Sequence, residues 1–168
     1  MDRRDVLKVA PAALIGAVSL SAAGARAVEQ QPQVQQGRPP PPKDRLQESV
    51  TRYLAAWNER DPKRRLELVA QTWVDDGSYI DHARQAYDHE SISAMIGKAQ
   101  MPYAGYRTAL ASTIECHHQY VRFSWFAGGS PDTPLYLKGT DIVLLAEDVR
   151  FKAVIGFVDV APTSITPG

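Results

Sequence analysis

Cysteine is nearly absent from these 168 residues, with Cys116 the single one. One thiol cannot close an internal disulfide, so the domain must hold by packing alone, even in an oxidising compartment. Cys116 reads as a small buried hydrophobe on a strand, and a nucleophilic role is the weaker alternative. An excess of charge is also missing. The 19 Lys and Arg balance 19 Asp and Glu, with a pI near 6.9. That excludes the basic footprint of a nucleic-acid binder. No repeat is visible, and neither a helical His-x-x-x-His pair nor a cysteine pair supplies metal-ligand spacing. His117 and His118 are adjacent, so in a strand they point to opposite faces and cannot ligate together. No metal and no cofactor is expected. Long hydrophobic runs are lacking too: the longest, Val9 to Ala23, is short for a span of ~20 residues.

What is present begins with that run. Asp2-Arg-Arg-Asp-Val-Leu-Lys8 is a polar, basic start to the apolar stretch, and Ala25-Arg26-Ala27 supplies a small-x-small cleavage site. Residues 1–27 therefore read as an export signal. Arg3-Arg4 followed by Leu7-Lys8 resembles a twin-arginine signal. An uncleaved anchor is the competing reading. The expected location is the periplasm or outside the cell, with no stable membrane association once the signal is gone. Its removal takes four basic and two acidic residues, leaving a net charge of −2. Residues 28–43 hold Gln-Gln-Pro-Gln-Val-Gln-Gln and Pro39-Pro-Pro-Pro42. Such a stretch cannot bury a core and reads as a tether rather than a proline-recognition site.

One folded domain is expected over 44–161, followed by a short tail, 162–168. Leu46, Val50, Tyr53, Leu54 and Trp57 recur at helical spacing. Asp61-Pro62 reads as an N-cap and first-turn proline, opening a second helix striped by Leu66, Val69, Ala70 and Trp73. Asp75-Asp76-Gly77 is expected to end it and lead into a short strand, Ser78 to His82, then a loop through Arg84 and Tyr87. Ile92, Met95, Ile96 and Ala99 stripe a third helix, stopped by Pro102 and Gly105. Four strands follow: Tyr106 to His117, Tyr120 to Ala127, Leu135 to Leu145 and Arg150 to Val160. This order argues for an α+β fold. The last two strands are apolar on both faces, whereas a sheet with one wet face alternates. A homodimer through the sheet is the simplest cover.

Two aspartates stand in apolar strands, in Tyr79-Ile-Asp81 and in Gly139-Thr-Asp141-Ile-Val-Leu-Leu. A buried Asp needs a partner or a raised pKa, and both routes lead to acid–base chemistry. Tyr53 adds a phenol on the first apolar helix.

The passages Tyr53-Leu-Ala-Ala-Trp-Asn-Glu-Arg-Asp61, Asp75 to Asp81, Gly139-Thr-Asp141 and Ile155-Gly-Phe-Val-Asp159 resemble the nuclear transport factor 2-like superfamily. The likeness is to its SnoaL-like and ketosteroid isomerase branches. It implies a cone in which three N-terminal helices pack a curved antiparallel sheet around one central pocket, commonly in a dimer. It also implies Asp81 as a base, with Tyr53 and a protonated Asp141 as donors to an oxyanion.

On that reading Trp57, Trp73, Met95, Met101 and Phe157 wall the pocket, joined by Tyr79 and Trp125. His82 and His117 serve as donors or proton carriers, and Arg122 clamps a carboxylate or pairs with Asp141. Each has a plainer alternative: a turn-forming Asp81, a structural Asp141, a core Tyr53, surface histidines and a surface Arg122. The expected function is a cofactor-free, isomerase- or cyclase-like enzyme acting on an apolar ring or polyketide-like molecule. The alternatives are a ligand-binding module without catalysis, and an interaction domain working through its sheet.

Overall fold

A computed structural model describes residues 39–128 and 136–161. The export signal, most of the tether, and the tail fall outside the described residues. The first helix, α1, covers Lys43–Asn58, one residue earlier than expected. It buries Leu46, Val50, Tyr53 and Ala56, the face that the spacing marks. The second helix, α2, spans Pro62–Thr72, and Asp61 caps it by accepting from the Arg64 N–H at 2.9 Å. The third, α3, spans His89–Gln100, with Asp88 accepting from the Ser91 N–H at 2.7 Å.

Seven strands form one mixed, open sheet: β1 Trp73–Ile80, β2 Gln85–Tyr87, β3 Arg107–Leu110, β4 Glu115–His117, β5 Tyr120–Gly128, β6 Tyr136–Leu145 and β7 Phe151–Val160. Their order is β2-β1-β7-β6-β5-β3, with β4 also paired to β5. The sheet is antiparallel except between β1 and β7, which run parallel. Two expected boundaries move. Trp73 opens β1 instead of closing α2, and Asp75-Asp76-Gly77 lies within β1, where the register against β7 shifts. A Cβ on Gly77 would come within 2.8 Å of the Trp73 ring and of the Val74 carbonyl, so the fold over Trp73 needs glycine. The expected Tyr106–His117 strand is two strands, both paired to β5 at different heights.

The helices cover one face of the sheet, and the core lies between. Tyr53 is its centre, with ring centroids 5.4–5.5 Å from Trp73, Phe123 and Phe151. Alternation along β5, β6 and β7 sends Val121, Phe123, Asp141, Val143, Val154 and Gly156 into this interior. The opposite parity leaves Tyr120, Phe126, Ile155 and Phe157 exposed on the outer face.

Two ends of the domain differ. At one, α1 starts against the β6–β7 turn: Arg45 donates to the Asp148 carbonyl at 2.8 Å and Ser49 to that of Val149 at 3.0 Å. At the other, buried Arg65 donates to the carbonyls of Ser93, Glu59 and Arg60, and Gln100 to those of Trp57 and Glu59. These bonds fasten the end of α1 and the starts of α2 to α3, fixing Trp57 and Arg60 where the interior opens. Among the described residues no helix is long and apolar enough to cross a membrane.

Candidate active site

At that second end the fold leaves a cavity of about 170 Å³. Helix α1 contributes Tyr53 and Trp57, β1 contributes Tyr79, and β5 contributes Trp125 and Ala127. The turn after β1 brings Asp81, His82 and Arg84, and the end of α3 brings Gln100, Tyr103 and Tyr106. Arg60, Leu137, Val158 and Ala161 also border it. The interior is aromatic: Trp57 and Tyr79 have centroids 5.5 Å apart, and Tyr103 and Tyr106 5.3 Å apart.

Asp141 does not line the cavity. It lies one layer deeper, fully buried, and accepts a 2.5 Å hydrogen bond from the Tyr53 hydroxyl on Oδ2. Its Oδ1 has no hydrogen-bond partner. Burial lifts the Asp141 carboxyl to about 6, and the Tyr53 hydroxyl and the more weakly placed Trp125 indole N–H pull it back only in part. Tyr53 is pushed well above the ordinary phenol value, first by burial and then by the charge of Asp141. Oδ1 stands across Gly156 from Tyr79. A Cβ on Gly156 would lie 3.1 Å from that oxygen and 2.8 Å from the Tyr79 hydroxyl, so only glycine leaves both groups their place.

Asp81 does line the cavity, but its lone pairs are taken. Oδ1 accepts the backbone N–H of Ala83 at 2.8 Å and of Arg84 at 2.7 Å. Oδ2 accepts the Tyr79 hydroxyl at 3.2 Å and the Arg84 guanidinium at 3.1 Å. A carboxylate has about four acceptor sites, and here all four are engaged on a side chain only 3% exposed. The structure therefore gives Asp81 the work of holding a turn, a tyrosine and an arginine. Free capacity to accept a proton lies at Asp141.

Tyr53, Trp57, Tyr79, Asp81, His82 and Trp125 thus meet at one cavity, with Asp141 behind Tyr53. Six other residues stand elsewhere. Trp73 and Met95 are core side chains, the first stacked on Tyr53 and Phe151. Phe157 is 54% exposed on the outer face, because its neighbour Gly156 takes the inward position opposite Asp141. Arg122 points outward for the same reason, since Phe123 is the residue opposite Asp141. It pairs with Glu115 at 3.2 Å rather than with Asp141. His117, opposite Tyr120 at the far end of β5, is exposed on that outer face. Met101, also expected in the wall, is exposed past the end of α3.

Arg60, Arg84, Gln100, Tyr103 and Tyr106 were not anticipated. The available signal was Pro102 and Gly105 stopping α3 between two tyrosines, which brings aromatic residues to a helix end. Among the described residues, no three His, Cys, Asp or Glu side chains gather as a metal site.

No family model and no curated protein matches the chain. Solved structures do. A provisionally named isomerase of the SnoaL-like family from Agrobacterium tumefaciens is 38% identical, with a TM-score of 0.65 over 70% of this chain and 99% of that one. A provisionally named SnoaL-like polyketide cyclase from Jannaschia sp. CCS1 shares the fold at 14% identity, with a TM-score of 0.57 over 69% and 86%. An NTF2-like protein of unknown function from Exiguobacterium sp. 255-15 does so at 15%, with a TM-score of 0.54 over 66% and 98%. The aromatic cavity and buried Tyr53–Asp141 pair are therefore carried on an NTF2-like α+β fold, and the chain belongs to the SnoaL-like family.

Proposed function

We propose that the protein is a cofactor-free acid–base enzyme that moves a proton on a small ring compound, as an isomerase or cyclase does. The observation that carries this reading is the Tyr53–Asp141 pair beneath the cavity. A carboxyl group near 6 sits where a general acid–base group works best near neutral pH. Ionised Asp141 takes the Tyr53 proton as the Tyr53 oxygen takes one from the substrate. The tyrosine stays neutral, Asp141 becomes the acid, and the substrate carries the negative charge. The reverse relay returns the proton at another atom. The Trp57 indole, on the cavity wall beside the Tyr53 hydroxyl, is a further N–H donor for the developing oxyanion. The isomerase name of the Agrobacterium relative is in keeping with this chemistry.

Solvent deuterium exchange into cyclohex-2-enone tests the reading. Exchange above background is expected, falling by about 10²–10⁴-fold in Tyr53→Phe and Asp141→Asn, a range typical of a lost acid–base group. Exchange that is absent, or undiminished in both variants, favours a ligand-binding module without catalysis.

Two further proposals concern the protein's setting. Arg3-Arg4 and the apolar run after it support export to the periplasm or beyond, tested by fractionation and N-terminal sequencing of the mature chain. Exposed Ile155, Phe157, Phe126 and Tyr120 support a homodimer through the outer sheet face.

A further inference from the structure

The cavity's polar groups are unequal in kind. Two guanidinium groups, those of Arg60 and Arg84, border the space. The lining holds one carboxylate, Asp81, which is filled by its four donors and neutralised by Arg84. Arg60 remains. Its Nη atoms donate to the carbonyls of Gln100, Tyr103 and Tyr106 at 3.1, 3.1 and 3.4 Å. These partners are neutral, and among the described residues no carboxylate pairs with it. A guanidinium has five N–H donors, so the charge and part of the fork stay available at an exposed position on the cavity's rim.

Size sets a second bound. A cavity of about 150 Å³ holds a benzene molecule, and this one is about 170 Å³. One substituted ring fills it, and a multi-ring substrate would protrude.

We propose that the site takes a single-ring organic acid, its ring among Trp57, Tyr79 and Trp125 and its carboxylate on Arg60. This names the substrate class of the site proposed above, and it rests on the cavity being where the reaction occurs. It turns the expected apolar ligand into one with an acidic head. A charge-assisted Arg–carboxylate hydrogen bond is the stronger kind, and its Coulomb part weakens with salt.

Benzoate and its neutral counterpart benzamide, titrated against the full chain at about pH 8 with tryptophan fluorescence as readout, decide the matter. Benzoate is expected to bind about tenfold more tightly, worth ~1.4 kcal/mol. That gap should narrow as sodium chloride rises from about 20 mM to about 500 mM. Arg60→Gln, checked for folding by circular dichroism, should bring the two ligands within about twofold, and Arg60→Lys should keep part of the preference. The proposal is overturned if benzamide binds as tightly as benzoate, if the gap ignores salt, or if a folded Arg60→Gln retains it. The salt series needs no variant and decides alone should Arg60→Gln not fold. A lost acid preference with ring binding retained leaves the proton-transfer reading standing. Failure of the deuterium exchange with the preference intact does the reverse.

Discussion

Burying a carboxyl group with no cation beside it has a measurable cost, and at Asp141 that cost depends on pH. Its folded value, about 6, lies above the ~3.9 of an unfolded Asp. Between those values the folded state binds more protons than the unfolded state, so this residue lowers stability as pH rises from about 4 to 6. A shift of two units corresponds to about 3 kcal/mol. Asp141→Asn keeps an acceptor for the Tyr53 hydroxyl and removes the charge. It should raise stability at pH 8 by up to about 3 kcal/mol and flatten the dependence from pH 4 to 6, as read by urea unfolding across pH. An unchanged pH profile would show that Asp141 titrates normally. Both partners of this pair were legible in the sequence, because a lone acid in the apolar run Asp141 to Leu145 and a phenol on an apolar helix face stand out from their surroundings. For Asp81 the sequence left two roles open, a base and a turn former, and did not choose between them. Its saturation comes from the Ala83 and Arg84 N–H groups turning back onto it, and that is a property of loop geometry.

Helices were legible because spacing determines which side faces in. The α3 stripe is buried as expected. In α1 Leu46, Val50 and Tyr53 are buried too, whereas Leu54 and Trp57 are half-buried and Ser49 and Ala56 join the buried face. The α2–β1 boundary was not legible. Trp73 continues the helical stripe of Leu66, Val69 and Ala70, and it also opens an alternating strand, so two periods fit one residue. The parallel β1–β7 pairing and the division of the Tyr106–His117 run depend on partners distant in sequence. One element carries a steric test. A Cβ on Gly139 in β6 would lie 2.3 Å from the Trp125 ring and 2.5 Å from the Phe157 carbonyl oxygen. Main chain cannot yield as a side-chain tip does. Gly139→Ala should therefore destabilise the domain by at least the ~1–3 kcal/mol of ordinary overpacking, measured by thermal melting. It should also displace Trp125 from the cavity wall, visible as a changed tryptophan emission. A Tm equal to that of the parent would show that β6 can shift there.

For the whole molecule, the proposed homodimer turns on the outer sheet face. Ile155 and Phe157 on β7 are 48% and 54% exposed there, with Tyr120 and Phe126 on β5, beyond β6. Several exposed apolar side chains on one face are consistent with an interaction surface. Sedimentation at micromolar concentration should give a dimer, and the double substitution Ile155→Asp, Phe157→Asp a folded monomer. A soluble monomer before any substitution would remove the homodimer and assign the face to another partner. The two ends of the domain bear on how it can be handled. Helix α1 has 16 residues, about 24 Å at 1.5 Å per residue. Its first turn adjoins the β6–β7 turn, and its last turn reaches the cavity. Ala161, by contrast, stands on the cavity rim itself. A purification tag or immobilising linker placed ahead of Lys43 thus attaches at the blunt pole and leaves the opening unobstructed. The same addition after Ala161 begins at the doorway, where it competes with whatever seeks to enter.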